Sequence, residues 1–175
     1  AEFVRETVAL RRWPLVWDIG CNTGMFSKIA AENADCVIAM DSDHLAIDHL
    51  YRNLSEDGFK NVLPLVANIT DASPNLGWRG LERKDLVGRG KPELTLCLAL
   101  IHHIVIGANI PLQEFVQWLA SLRTSLVIEF VTKDDDMVKT LLCNKECSHE
   151  DYDVEYFENC LKNSFAIRRR EILES

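Results

Sequence analysis

The chain has 175 residues, of which 47% are hydrophobic and 26% are charged, and its formal net charge at pH 7 is −8. This length and composition suit one globular domain with a full core rather than two, so we expect a single domain over residues 1–175. An acidic surface repels phosphate backbones, which disfavours nucleic acid as a partner.

Two groups of basic residues could form a local nucleic-acid-binding patch, but we interpret both as structural. The first, in a solvated charged loop, comprises Arg79, Arg83, Lys84, Arg89 and Lys91. The second, in a predicted strand near the end, is Arg168–Arg170. The chain holds no stretch of about 20 apolar residues, as a bilayer-spanning helix needs, and no charged-then-apolar leader. We therefore expect no membrane partner and a cytoplasmic protein. Because the chain begins at Ala1 rather than Met, we expect a domain truncated at one or both ends.

Six cysteines are scattered along the chain, which is typical of reduced thiols rather than of a disulfide framework. Cys143, Cys147 and His149 have metal-ligating side chains. No fourth ligand follows at a recognisable spacing, so free thiols are favoured and we predict no metal.

Apolar, β-rich runs alternate with segments of helical period, which is the signature of βαβ units. The predicted strands are Leu15–Asp18, Cys36–Asp41, Val62–Val66, Leu94–Leu98, Ser125–Phe130 and Phe165–Ile172. The predicted helices are Met25–Asn33, Leu45–Leu54, Pro111–Leu122 and Val154–Asn163. The fold class is therefore α/β, a doubly wound and mostly parallel sheet with helices on both faces. Thr70–Pro92 is predicted to be a long loop with one helical turn near Glu82–Val87, a candidate flap over the site.

The first strand ends at Asp18 and runs into Ile19-Gly20-Cys21-Asn22-Thr23-Gly24 before a helix, which is how open α/β sheets build nucleotide sites. A dinucleotide fingerprint needs G-x-G-x-x-G, but Asn22 stands where the middle glycine would be. Asn tolerates positive φ better than other non-glycine residues. The loop therefore favours a cofactor without phosphates.

This segment resembles motif I of class I S-adenosylmethionine-dependent methyltransferases, D/E-x-G-x-G-x-G, with a departure at Asn22. The resemblance implies a Rossmann-like fold with S-adenosyl-L-methionine as cofactor, whose aminoacyl part the loop wraps. The loop residues assigned to the cofactor are Asp18, Gly20, Cys21, Asn22 and Gly24. Only six strands are predicted, so the usual seventh strand of this family is expected to be missing.

Asp41 closes the second strand about twenty residues after the loop, where a carboxylate can hold a ribose diol. The resemblance implies the same role for Asp41, with Ser42 beside it. The alternative is that Asp41, Ser42 or Asp43 caps the helix that begins at Leu45.

Asn68 and Ile69 follow the third strand, where the family places a polar and an apolar residue against adenine. The Asn68 carbonyl could accept a hydrogen bond from the exocyclic amine, while Ile69 packs on the ring. The alternative is an Asx turn that leaves the strand.

The fourth strand runs into Ala99-Leu100-Ile101-His102-His103, where the family places residues beside the transferred methyl. Ala99 is assigned to the cofactor and the histidines to catalysis, because histidine can accept a proton at neutral pH. Adjacent side chains are expected to point apart, so at most one faces the acceptor and the other is a structural hydrogen-bonding residue. The alternative is that neither acts as a base, because some enzymes of this family need none. The Asn/Asp-Pro-Pro-aromatic box of amino-nitrogen methyltransferases is absent, which favours O- or C-methylation of a small molecule.

Glu129 closes the fifth strand and is the third catalytic candidate, either orienting a histidine or binding substrate. It could equally bond to backbone amides of a loop. Asp134-Asp135-Asp136 resembles an acidic metal cluster only superficially and is interpreted as a helix start.

Taken together, the motifs predict a methyltransferase for a small-molecule acceptor. The alternative is a non-catalytic cofactor-binding scaffold or regulatory domain. A weaker resemblance, carried by Gly77-Trp78-Arg79-Gly80 and Leu98–His103, is to bacterial methyltransferases related to a nodulation protein.

Overall fold

Five parallel strands form the sheet of this chain, for which a computed structural model describes residues 1–143 and 151–173. The strands are β1 (Trp13–Ile19), β2 (Ala34–Asp41), β3 (Val62–Val66), β4 (Leu94–Cys97) and β5 (Ser125–Ile128). Their order across the sheet is β3-β2-β1-β4-β5. The order reverses between β1 and β4, and open α/β sheets bind ligands beside such a reversal, at the carboxyl ends of the strands.

The described chain folds as two compact units. The first comprises Ala1–Leu100 with Leu122–Glu129, and the second comprises the described parts of Ile101–Ser121 and Phe130–Ser175. The single domain predicted for residues 1–175 stays a prediction.

The first unit contains the whole sheet and four helices. These are α1 (Glu2–Val8), α2 (Met25–Ala31), α3 (His44–Glu56) and the single turn α4 (Leu86–Arg89). Val16 and Trp17 in the centre of β1 are fully buried, as expected of a central parallel strand. The sheet and its helices confirm the α/β class, and all five strands occupy the predicted places.

The helix α1 was not predicted. Only Val4 and Val8 are buried along its seven residues, and they pack in the same core as Ile29 and Ala30 of α2. A stripe of two valines one turn apart is too short for the hydrophobic period to reveal.

The second unit is helical. A π-helical turn (His103–Gly107) is followed by α5 (Leu112–Ser121), α6 (Asp136–Cys143) and α7 (Val154–Ser164). The Phe130 ring stacks on those of Tyr152 and Phe157 at 4.7 and 4.9 Å between centroids. The Tyr152 hydroxyl donates to the Val131 carbonyl at 2.7 Å, which satisfies the polar end of a buried ring.

The sixth strand, predicted over Phe165–Ile172, was wrong. Residues 165–173 contain no strand and are largely exposed, with 80% of Ile172 and 62% of Leu173 accessible to solvent. The apolar run that suggested a strand is interrupted by Arg168–Arg170, which leaves no continuous apolar face to bury.

The loop between β3 and β4 contains short turns, as predicted, but their positions differ slightly. Turns of 3-10 helix occupy Ile69–Asp71 and Trp78–Gly80, and α4 lies a few residues later than expected. Its role as a flap stays a prediction.

Candidate cofactor site

The glycine loop after β1 adopts left-handed backbone conformations at three alternate positions. The φ angles are 76° at Gly20, 48° at Asn22 and 82° at Gly24. Asn22 therefore adopts a left-handed conformation, which asparagine tolerates better than other non-glycine residues do. The N–H groups of Gly20 and Cys21 both donate to the Met40 carbonyl, at 2.8 and 3.0 Å, so the loop is fixed to the end of β2.

The two glycines also make room for neighbouring side chains. A Cβ on Gly24 would overlap the side chain of Leu50 in α3, and a Cβ on Gly20 would lie 2.9 Å from Cδ1 of Leu100. Glycine is thus favoured at both positions for two reasons, backbone conformation and close approach.

Asp18 lies beneath the loop and is 1% exposed. Its Oδ2 accepts a hydrogen bond of 2.5 Å from the hydroxyl of Ser27, a buried residue of α2. Burial raises the pKa of Asp18 to about 6; the Ser27 hydrogen bond opposes this rise, and the Asp41 charge adds to it. Asp18 therefore links β1 to the helix that follows the loop.

Ser27 was missed as a site residue. It lies on the same face of α2 as Ala30 and Ala31, three and four residues later, and all three are buried. A serine on the buried face of a helix needs a polar partner, and this was the signal that could have identified it.

Asp41, at the end of β2, forms hydrogen bonds that connect this strand to the glycine loop after β1. Its Oδ2 accepts the Asn22 N–H at 2.8 Å, and its Oδ1 accepts the Asp43 N–H at 2.9 Å. The Ala67 N–H donates to the Asp41 carbonyl at 2.8 Å, which brings the chain after β3 to the same edge. Each carboxylate oxygen retains a second acceptor position, so both can still receive a hydroxyl.

The helix α3 is capped by Asp43 rather than by Asp41 or Ser42. The Asp43 side chain accepts the N–H groups of Leu45 and Ala46, and the helix begins at His44. Ser42 is exposed in the turn. The carboxylate of Asp41 is thus not used as the helix cap.

Asn68 forms the Asx turn that was the alternative to adenine recognition. Its Oδ1 accepts both the N–H and the hydroxyl of Thr70, at 3.0 and 2.8 Å. Since that carbonyl is engaged, the amide N–H groups are the part of Asn68 better placed to meet a base. Ile69 is half-buried beside it, and adenine recognition by the pair stays a prediction.

Ala99 and Glu129 meet where β4 and β5 end. The Ala99 N–H donates to Glu129 Oε2 at 2.9 Å, and Ala99 has a φ of 48°. The Glu129 carboxylate therefore accepts a hydrogen bond from a backbone amide, which was the alternative to a catalytic role for this residue. A direct part in catalysis stays a prediction.

His102 and His103 lie in the second unit, and they do not point apart. Both belong to helical turns, and their ring centroids are 4.2 Å from each other. His102 is buried, and its Nδ1 has no hydrogen-bond partner among the described residues, whereas His103 is exposed. Burial lowers the pKa of His102 to about 4; His103 adds to this effect and Asp135 opposes it. His102 is therefore neutral at pH 7, as a general base must be.

Over residues 1–143 and 151–173, no three His, Cys, Asp or Glu side chains are grouped to hold a metal ion. Cys147 and His149 lie outside the described residues, so the prediction for that cluster is untested. Asp135 accepts the N–H groups of Met137 and Val138, which confirms the acidic run as a helix start. In the described ranges no helix has the length and apolarity needed to cross a bilayer.

The loop environment fits a cofactor without phosphates. Asn22 carries a side chain where a pyrophosphate would need glycine, and two carboxylates, Asp18 and Asp41, are close enough for the second to raise the pKa of the first. Such a setting opposes a pyrophosphate and suits hydroxyl groups or a cation. Gly20, Asn22, Gly24 and Asp41 could thus hold an adenosyl sulfonium compound.

Comparison with known proteins gives one informative sequence relative. The chain is 35% identical over 173 residues to the nodulation protein NoeA of Rhizobium meliloti strain 1021, a match that covers 98% of this chain and 36% of that protein. The chain thus spans about a third of the length of NoeA. No protein-family model matches it.

Solved structures similar to this chain include the bifunctional kinase-methyltransferase WbdD, with a TM-score of 0.57 and 18% identity over 85% of this chain and 30% of that one. Another WbdD structure gives a TM-score of 0.56 and 22% identity over 75% and 28% of the two chains. The chain therefore has a Rossmann-like α/β fold like these structures, as its motifs predicted, and its similarity to a nodulation protein is confirmed.

Proposed function

We propose that this protein binds S-adenosyl-L-methionine and transfers its methyl group to a small-molecule acceptor, at oxygen or carbon. The observation that carries the proposal is the pair of hydrogen bonds at Asp41, one to Asn22 in the glycine loop and one to Asp43. These bonds hold the Asp41 carboxylate beside a loop whose sequence disfavours phosphate binding. Each carboxylate oxygen keeps one further acceptor position for a hydroxyl. The fold shared with WbdD supports the same reaction class.

In this proposal each residue at the sheet edge has a distinct task. Asp41 and Ser42 bind the ribose hydroxyls, Asn68 and Ile69 contact adenine, and Gly20 to Gly24 surround the aminoacyl part. Asp18 fixes the helix behind the loop through Ser27. The bound cofactor supplies a methyl group on positively charged sulfur. His102 or His103 accepts the acceptor's proton, and Ala99 lines the cofactor.

A non-catalytic cofactor-binding domain is the second candidate. It is favoured by Glu129, a predicted catalytic residue whose carboxylate holds a backbone amide. For either candidate we propose a cytoplasmic protein. Free thiols are typical of that compartment, and the five cysteines that the structure describes are free: Cys21, Cys36, Cys97, Cys143 and Cys160.

Thermal shift with S-adenosylmethionine, S-adenosylhomocysteine and nicotinamide dinucleotides tests the cofactor. We expect the first two to raise the melting temperature, and stabilisation by a dinucleotide alone would refute the proposal. Incubation with methyl-labelled cofactor and a pool of small metabolites tests the reaction. Label in a small molecule supports the enzyme, whereas cofactor binding without transfer to metabolites, RNA or protein supports the non-catalytic domain.

A further inference from the structure

We infer that Glu129 is a positioning residue for the glycine loop, acting through Ala99 and Leu100. Its effect on cofactor affinity rests on the function proposed above, whereas its effect on the loop does not. The inference joins three features of the first unit that meet where β1, β4 and β5 end.

The first feature is the strained backbone at Ala99. A left-handed conformation costs an L-residue with a Cβ roughly 1–2 kcal/mol, and such strain persists only where the surroundings impose it. At Ala99 the described contact that imposes it is the hydrogen bond from the N–H to Glu129 Oε2. A bond from an amide to an ionised carboxylate is shorter and stronger than one to a neutral acceptor.

The second feature is the rigidity of Glu129 itself. Its own N–H donates to the Cys97 carbonyl at 3.0 Å, which continues the β4–β5 ladder by one residue. The carboxylate therefore projects from a fixed point of the sheet and is half-buried. It can hold the turn after β4 in one conformation.

The third feature is the contact that this turn makes with the glycine loop. Leu100, the residue after Ala99, approaches Gly20 so closely that a Cβ there would lie 2.9 to 3.4 Å from three of its side-chain atoms. The φ of Ala99 determines where Leu100 lies. A change at Glu129 is thus transmitted to the α-carbon of Gly20, at the start of the cofactor loop.

This arrangement separates a positioning role from a catalytic one. A catalytic Glu129 would act on the acceptor, and its loss would lower turnover with little change in the loop. A positioning Glu129 alters the loop in the protein without ligand. Replacing Ala99 by glycine removes the need for it, because glycine adopts the left-handed conformation without strain.

The experiment compares Glu129→Gln, Ala99→Gly and the double variant with Glu56→Gln as control, a glutamate at the C-terminal end of α3. Backbone amide NMR signals of Gly20, Asn22 and Gly24 are recorded without ligand, and S-adenosylhomocysteine affinity is measured by calorimetry. We expect E129Q, whose amide oxygen can still accept the Ala99 N–H but without the negative charge, to shift these signals and to weaken binding about fivefold. In the double variant the loop signals should return to their wild-type positions, and E56Q should change neither the signals nor the affinity. Leu100→Ala, which leaves the Glu129 contact intact, should also shift the loop signals.

Unchanged loop signals in E129Q, or a double variant whose loop signals stay shifted as in E129Q, would overturn the inference. If E129Q does not fold, the double variant decides: a folded protein with wild-type loop signals supports the positioning role, and a double variant that also fails to fold overturns it. If wild type fails to bind S-adenosylhomocysteine while the loop shifts and their reversal are seen, the positioning role stands and the proposed function fails.

Discussion

Asp41 and Asn22, nineteen residues apart in sequence, are joined by a hydrogen bond of 2.8 Å between a carboxylate at the end of β2 and a backbone amide of the glycine loop. The contact explains why an asparagine suffices at the middle of the loop. What the site needs at that position is an N–H presented from a left-handed conformation, and Asn22 supplies it at a φ of 48°.

Asp41→Ala tests this contact. The variant loses the acceptor for the Asn22 N–H and the proposed ribose contact, so S-adenosylhomocysteine affinity should fall by about 10- to 100-fold, the equivalent of one or two hydrogen bonds to a charged group. Calorimetric titration measures it. Asp43→Ala is the matched control, because it removes the cap of α3 at a cost of about 1 kcal/mol but keeps the backbone N–H that Asp41 accepts. Equal affinities of D41A and wild type would contradict the ribose assignment.

The raised pKa of Asp18 predicts a pH-dependent stability. Because the folded protein favours the protonated carboxyl, the contribution of Asp18 is complete below its ordinary pKa of 3.8 and is lost as the pH rises through about 6. Asp18→Asn removes this dependence and keeps an acceptor for Ser27. Between pH 3.8 and pH 6, wild type should therefore lose up to about 3 kcal/mol more of its free energy of unfolding than D18N does. Urea unfolding at several pH values measures this difference, and parallel profiles would disprove it.

Gly24→Ala should cost more stability than Gly58→Ala. Both glycines have positive φ, 82° and 76°, but a Cβ at position 24 meets Leu50 whereas one at position 58 meets nothing within 4 Å. We expect a loss of about 1–2 kcal/mol for G58A from backbone strain alone and about 1–3 kcal/mol more for G24A from overpacking. Chemical unfolding of both variants gives the difference. Equal losses would show that Leu50 moves aside without cost.

His102 should stay neutral throughout the neutral pH range. Its pKa is lowered from 6.5 to about 4, so its contribution to stability is complete above pH 6.5 and is lost as the pH falls toward 4. His103→Ala removes one cause of the lowering and should raise the pKa of His102. NMR titration of the imidazole C–H signals measures the pKa of His102 in wild type and in the His103→Ala variant. A His102 that titrates near 6.5 in wild type would refute the buried position.

The position of the candidate site residues was predictable where chain order alone places them together. Carboxyl ends of parallel strands share one edge, so Asp18, Asp41, Asn68, Ala99 and Glu129 could be assigned to it from the strand pattern. The partners of these side chains were not predictable, because hydrogen bonds such as Ser27 to Asp18 and Ala99 to Glu129 depend on loop geometry that no period encodes. The sixth strand failed for a related reason. An apolar, β-rich run forms a strand only where it has a face to bury and a neighbouring strand to pair with, and Phe165–Ile172, interrupted by three arginines, has no paired strand among the described residues.

The cysteine inside the glycine loop offers a way to observe the loop chemically. Cys21 is 6% exposed, and burial, with Asp18 and Asp41 adding to it, raises the pKa of its thiol above the usual range. The thiolate, which is the form that alkylating reagents attack, is therefore suppressed while Cys21 is buried. The rate at which iodoacetamide modifies Cys21 therefore measures how often this thiol becomes exposed to solvent.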